Sequence, residues 1–221
     1  YLGMIELLVL IVGVSYAGSI IVEDFEKLTG NIIFPKITRD RLLIGRLTMR
    51  YLMAAINLFI YYLLIFVTTK IEYEGSLPIE FWESLGWAEL YLFLVISFTT
   101  LFSSFMKRTS TAIITSIMMI LIVFTLVNSI LMFVGVQMEP FYILTYYANI
   151  ITQCFDMPAA DNRYQELSFG PPGAGGEQVG ETYYMWVTPS YTGALVGMLV
   201  YSALCLIGAY FLFKRRQISS N

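Results

Sequence analysis

The chain has 221 residues, of which 57% are hydrophobic and 13% are charged, and its mean hydropathy is +0.70. Soluble domains carry about 25% charged residues, so the composition excludes an ordinary soluble protein and predicts that lipid covers much of the surface. The net charge is −3 and there is no histidine. These values argue against a nucleic-acid partner and exclude catalysis or metal binding by histidine.

Five apolar runs are each long enough to cross the hydrocarbon core of a bilayer, which takes about 20 helical residues. They predict an all-α integral membrane protein with a single transmembrane domain over residues 1–221. In chain order the runs cover residues 2–22, 47–69, 85–106, 111–135 and 191–213.

The basic residues set the orientation of these spans. Eleven of the 13 lie in residues 23–50, in the turn at 107–110 or at the C-terminus, which share one side if every run crosses. The positive-inside rule makes that side cytoplasmic. We therefore predict a multi-pass protein of the cell membrane, with a cytoplasmic segment at 23–46, an extracellular loop at 136–190 and a cytoplasmic C-terminus.

The same topology places Tyr1 on the outer side of the membrane. An odd number of spans with an outer N-terminus is unusual where no signal-peptide pattern is present. We therefore expect a further span upstream of Tyr1, which would give the full subunit six spans.

Motifs for chemistry are absent from the sequence. Neither the phosphate-binding G-x-x-x-x-G-K-[ST] pattern nor the H-E-x-x-H and G-x-S-x-G motifs occur. Cys154 lies in a polar loop and Cys205 in an apolar run, so they predict neither a disulfide nor a metal site. We expect no catalysis, no metal and no cofactor in this chain.

Four polar residues in the apolar runs are candidates for a path through the membrane. Glu6 and Glu89 lie near the outer ends of their runs, and ionisable groups in spans usually face a bundle interior or a wet cavity. The alternative is simple solvation among the head groups. Asn57 and Asn128 lie deeper, where hydrogen bonding between helices is the alternative to lining a path.

The last run contains Gly193 and Gly197, and the first contains Gly13 and Ala17 at the same spacing. Small residues four apart let helices approach closely. The pattern predicts close packing, either within one subunit or at a seam between two.

The segment 23–46 has the most distinctive pattern in the chain. Acidic residues from Glu23 onward open a short helix, Gly30 ends it and Pro35 prevents its continuation. Phe25 and Leu28 lie on one apolar side of this helix. A second helix that includes Arg39 then leads into the next span. Such a segment can lie along the head groups or dock on a cytoplasmic partner.

This segment resembles the loop between the second and third spans of type-2 permeases of the ATP-binding-cassette (ABC) exporters. The turn at 97–111 and the last-span ending at 208–218 are similar to the corresponding parts of that family. The order Thr29-Gly30 is inverted relative to the family, which indicates a divergent branch. The matching residues of the segment are Glu26, Gly30, Pro35, Thr38, Arg39, Gly45 and Arg46.

The resemblance implies a permease subunit that pairs with a second permease and with two separate ATPase subunits. ATP and Mg would bind to those ATPases, and short helices in the loop after the fourth span would cap the path. The alternatives are a non-transporting scaffold with the same fold and an intramembrane enzyme acting on lipids, which the lack of histidine and of paired buried carboxylates disfavours. The residues expected to couple the permease to the ATPases are Glu23, Phe25, Glu26, Leu28, Gly30, Phe34, Pro35 and Arg39.

Overall fold

The computed structural model describes residues 4–26, 38–72, 78–134, 139–158, 163–169 and 181–215. Its elements are almost all helical. In chain order they are α1 (Ile5–Ala17), α2 (Val22–Glu26), α3 (Arg39–Glu72), α4 (Glu80–Phe105), α5 (Thr109–Met118), a π-helix (Met119–Val123), α6 (Phe124–Val134), α7 (Leu144–Gln153), β1 (Tyr164–Phe169), β2 (Glu181–Trp186) and α8 (Tyr191–Arg215).

Within the described residues, five helical segments are long and apolar enough to cross a membrane, and they confirm the predicted all-α architecture. The first segment is broken after Ala17, where the sequence predicts one continuous span. The second begins at Arg39, eight residues before the predicted run, because a polar turn of helix precedes its apolar part. The fourth is continuous only through the π-helix that joins α5 to α6.

Helix α4 lies at the centre of the bundle, where it packs against α1, α3, α5, α7 and α8. Many of its buried residues carry small hydroxyl side chains, which let neighbouring helices come close. Ser97 and Thr100 each donate a hydrogen bond to a carbonyl of α4 itself, at 2.7 Å. Helices α3, α5, α6 and α8 instead expose long apolar side chains, as a surface in contact with lipid requires.

Contacts along the bundle give the direction of each helix. Tyr191 stacks on Trp87 and Tyr201 packs near Phe98, so α8 runs parallel to α4. Tyr62 contacts Phe81 and Tyr51 contacts Phe93, so α3 runs antiparallel to α4. We call the end at which α4 and α8 begin the loop end, and the opposite end, which carries α2, the α2 end.

The connection between α6 and α8 contains more structure than the predicted loop at 136–190. Helix α7 is about 15 Å long, too short to cross a membrane, and packs against α1, α4 and α8. It agrees with the expectation of a short helix after the fourth span. The antiparallel hairpin β1–β2, in which Tyr164 pairs with Trp186, was not predicted.

Candidate functional site

The break between α1 and α2 is held by one side chain of α4. The Ser103 hydroxyl accepts hydrogen bonds from the backbone amides of Ile21 and Val22 at 3.1 Å each, and it donates to the Gly18 carbonyl at 3.1 Å. Backbone groups that lose helical partners within a membrane must find others. A single buried hydroxyl therefore satisfies three of them and joins the turn to α4.

An ion pair ties α2 to the beginning of α3. Arg46 donates to both carboxylate oxygens of Asp24 at 2.7 Å and to the Ile20 carbonyl at 3.2 Å. Asp24 is 1% exposed and Arg46 is 27% exposed. Two-pronged arginine–carboxylate contacts of this kind are strong and fix geometry. The short helix therefore has a defined orientation against α3.

Two further acidic residues of α2 reach neighbouring spans. Glu23 forms a longer and more exposed ion pair with Arg50 of α3, at 3.4 Å. Glu26 accepts hydrogen bonds from the backbone amide and the hydroxyl of Thr109 at 2.9 and 2.7 Å. Thr109 opens α5, so Glu26 satisfies an amide at a helix N-terminus, where negative charge is favourable.

Phe25 is partly buried within the chain. Its ring meets that of Phe213 in α8 edge-on, with centroids 6.2 Å apart. Phe25 therefore contributes to packing between α2 and the last span. Of the other predicted coupling residues, Arg39 opens α3, while Leu28, Gly30, Phe34 and Pro35 lie outside the described residues.

Sequence reasoning did not single out Asp24, Ser103 or Thr109. Asp24 and Arg46 are opposite charges that flank one short connection, which is a signal for pairing. The sequence gives no signal that singles out Ser103, because serine is frequent in α4. Only the tertiary structure shows which hydroxyl bonds to the turn between α1 and α2.

Glu6 faces a cavity near the loop end. The Thr152 hydroxyl donates to its carboxylate at 3.4 Å, which brings α7 to α1. The cavity has a volume of about 230 Å³ and is also lined by Tyr91, Leu121 and Thr145. The Glu6 carboxylate therefore lies beside a cavity between four helical elements.

Glu89 lies on the side of α4 that faces α3. Helix α4 begins at Glu80, so Glu89 is about 14 Å along the helix. The Tyr51 hydroxyl donates to its carboxylate at 3.4 Å. This contact places Glu89 between α4 and α3.

The two asparagines have different surroundings. Asn57 donates to the Tyr16 hydroxyl at 2.8 Å and to the Met53 carbonyl at 2.8 Å, so it joins α3 to α1. Asn128 is half-buried in α6, and its side chain has no hydrogen bond to another residue in the described part of the chain. Helix-to-helix bonding is thus observed for Asn57.

Two glycines of α8 leave room for aromatic rings of α7 and of the turn before it. A Cβ at Gly197 would lie 2.3 Å from the Tyr147 hydroxyl oxygen, and one at Gly193 would lie 3.2 Å from the Phe141 ring. Gly13 similarly leaves room for Val95 of α4. Of the two predicted uses of this spacing, the structure shows packing within one subunit.

A polar cluster fastens the hairpin to the beginning of α7. Arg163 and Tyr146 both donate to one Glu139 oxygen at 2.9 Å, and Arg163 lies 5.5 Å from the centre of the Trp186 ring. Asn149 donates to the Val187 carbonyl at 2.7 Å. Burial, together with the Glu139 carboxylate, raises the pKa of the Tyr146 hydroxyl. This tyrosine therefore remains a hydrogen-bond donor at any physiological pH.

Metal chemistry has no support among the described residues. They contain no group of three or more Asp, Glu, Cys or His side chains placed to hold an ion. Cys154 and Cys205 are both buried free thiols. The polar residues of the site form ion pairs and hydrogen bonds that connect helices.

The described residues form a bundle of five helices long and apolar enough to cross a membrane, which is the architecture of a multi-pass membrane protein. The sequence model of the "ABC-2 family transporter protein" family matches residues 35–218. The chain therefore belongs to that family, and it is a membrane permease component of an ABC transporter. The ABC-2 family implies association with ABC ATPase components, and its permeases are typically non-catalytic. Comparison with the curated proteins gives no match.

Proposed function

We propose that this chain forms the substrate path of an exporter and that two separate ATPase subunits drive it through the segment 23–46. A second permease subunit completes the path. ATP and Mg bind to the ATPases, and this chain makes and breaks no covalent bond. The C-terminus and α2 lie on the cytoplasmic side of the cell membrane, in keeping with the distribution of basic residues.

This proposal rests on the bonds that connect α2 to three other helices. Side chains bond α2 or the turn before it to α3 through Arg46, to α4 through Ser103 and to α5 through Thr109. A force applied to α2 therefore displaces three spans together, since packed elements move as rigid bodies. A head-group-bound helix that served only as an anchor would not need bonds to three spans.

The cavity at Glu6 supports a path at the other end of the bundle. It lies between α1, α4, the π-helix and α7. π-helical turns often occur at functional sites, because one wide turn lets a helix change shape locally. We infer that α7 and the π-helix border the outer part of the path.

The coupling role is tested by cutting the bond between α2 and α3. Arg46→Gln removes the pair with the buried Asp24. The matched control is Arg50→Gln, on the same helix, which removes the longer and more exposed pair with Glu23. The chain is purified with the ATPase that copurifies with it, and ATP hydrolysis by the complex is compared with hydrolysis by the ATPase alone.

We expect the ATPase to copurify with both variants. In Arg46→Gln the permease-dependent change in hydrolysis falls by about tenfold, the effect of about 1.4 kcal/mol, while Arg50→Gln stays close to the unmutated complex because exposed pairs contribute about 0–1 kcal/mol. Purification of the chain without any ATPase would instead indicate the non-transporting scaffold. Equal effects of the two variants would refute coupling through the Asp24–Arg46 pair.

A further inference from the structure

A groove of about 740 Å³ runs between α4 and α8 at the loop end. Its walls include Glu83, Gly86, Trp87 and Leu90 of α4, which share one face of that helix at spacings of three and four residues. The opposite wall comes from the first turns of α8. The volume is in the range of sites that bind small molecules, about 300–1,000 Å³.

The mouth of the groove combines aromatic rings with a carboxylate. Trp87 and Tyr191 stack with their centroids 5.8 Å apart and their planes 24° apart. Glu83 lies one turn before Trp87 and lines the same groove. In the part of the chain that the structure describes, no basic side chain forms an ion pair with Glu83. Ring faces and a carboxylate together attract an ammonium group, above all a quaternary one.

The groove is polar at its mouth and apolar further in, which matches the polar head and apolar tail of an amphiphile. Tyr191 is the first residue of α8 and Glu83 is in the first turn of α4, so the polar mouth lies at the helix ends. Leu90 lies about 10 Å deeper than Glu83 along α4, and Leu195 lies one turn below Tyr191. The walls become apolar at this distance from the mouth, as contact with an acyl chain requires.

We propose that this groove binds one zwitterionic phospholipid with an ammonium head group. The ammonium lies against Glu83 and the Trp87–Tyr191 pair, and an acyl chain lies along Leu90 and Leu195. The uncompensated carboxylate favours this occupant over an anionic lipid, because like charges at the mouth would repel each other. The lipid site is separate from the α2 attachment and does not depend on the proposed transport function.

The test measures lipid retention by native mass spectrometry of the purified protein. Phosphatidylcholine and phosphatidylglycerol with identical acyl chains are supplied in equal amounts. We expect phosphatidylcholine to be retained preferentially, and Glu83→Gln to reduce that preference by about threefold or more, the effect of losing one exposed charge contact. Glu80→Gln, in the same turn but outside the groove lining, is the matched control and leaves the preference unchanged.

A second variant fills the groove. A Cβ at Gly86 meets no atom within 4 Å, so the backbone accepts a side chain there and Gly86→Leu adds apolar volume to the groove. We expect this variant to lose bound phosphatidylcholine while its melting temperature in detergent is at least that of the unmutated protein, because replacing a helical glycine is neutral or stabilising. Retention of both lipids in equal amounts, or unchanged retention in both variants, would overturn the proposal. Competition by tetramethylammonium without any lipid retention would also overturn it, because the occupant would then be a soluble cation.

Discussion

Gly197 illustrates how single residues decide the packing of this bundle. Tyr147 lies over it, with its ring 1% exposed and its hydroxyl bonded to the Phe141 carbonyl at 2.7 Å. The ring cannot move away without losing that bond. Glycine at this position is therefore a requirement of the neighbouring helix α7.

We predict that Gly197→Val destabilises the protein by about 1–3 kcal/mol, because overpacking a filled site forces backbone or side-chain shifts. Thermal melting in detergent measures the effect. Gly45→Ala is the control, since a Cβ there meets nothing within 4 Å, and in a helix this change is neutral or stabilising by up to about 1 kcal/mol. A melting temperature of Gly197→Val equal to that of the unmutated protein would refute the packing argument.

Cys154 gives a prediction on pH dependence. It is buried at the end of α7, and burial raises the pKa of its thiol. The thiolate is the reactive form, so at neutral pH we expect alkylation by N-ethylmaleimide to be slower than in the unfolded chain. Below the pKa the rate rises about tenfold per pH unit as the thiolate fraction grows. The measurement uses a Cys205→Ala background, and a rate at pH 7 equal to that of the unfolded chain would contradict it.

At the scale of elements, the broken first span is the feature that most separates this molecule from a plain helical bundle. The turn at 18–21 releases backbone groups from helical bonding, and Ser103 of α4 takes up three of them. After the break, α2 presents its acidic side chains to α3 and α5. A hydropathy average over the whole run does not reveal the break, although residues 15–19 are less apolar than the rest of the run.

Ser103→Ala tests whether the turn at 18–21 depends on this hydroxyl. It leaves two amides and one carbonyl of the turn without their partner, and each buried unsatisfied group costs about 1–3 kcal/mol. We therefore predict that the free energy of unfolding falls by at least about 1–3 kcal/mol. Denaturant or thermal unfolding in detergent measures this change. Ser97→Ala is the control, because that buried hydroxyl bonds only to the Phe93 carbonyl of its own helix. Equal losses in the two variants would show that the turn does not depend on Ser103.

At the scale of the whole molecule, the distribution of charge separates the two ends of the bundle. The α2 end carries Lys107 and Arg108 in the turn between α4 and α5, and the C-terminal end of α8 carries Lys214 and Arg215. The loop end carries most of the acidic residues of the described chain. The positive-inside rule turns this difference into an orientation in the membrane.

The orientation is tested by single cysteines at exposed positions of the two ends. Lys107→Cys is expected to react with a membrane-impermeant maleimide only after the membrane is opened. Glu72→Cys, at the end of α3 on the opposite side, is expected to react in intact cells. The native cysteines are buried and contribute little background. The reverse labelling pattern would refute the orientation and the cytoplasmic position of α2.

The sequence predicts which segment carries the candidate site. Acidic residues from Glu23 predicted that a short helix begins here, and α2 covers residues 22–26, while its predicted end at Gly30 and the break at Pro35 lie outside the described residues. Its contacts were not accessible, because they involve residues 22 to 83 positions away in the chain. For the same reason Phe25, expected to contact a partner, was not predicted to pack on Phe213.

The sequence by itself determined that the chain has five runs long and apolar enough to cross a membrane and that its basic residues gather at one end. These properties depend on the local cost of placing apolar and charged groups in water or lipid, which each segment settles independently. The tertiary structure decided where the first span breaks, which hydroxyl supports the break and which glycine receives Tyr147. Those outcomes depend on side chains that meet only when distant helices pack, and hydrophobic periodicity contains no information about such pairs.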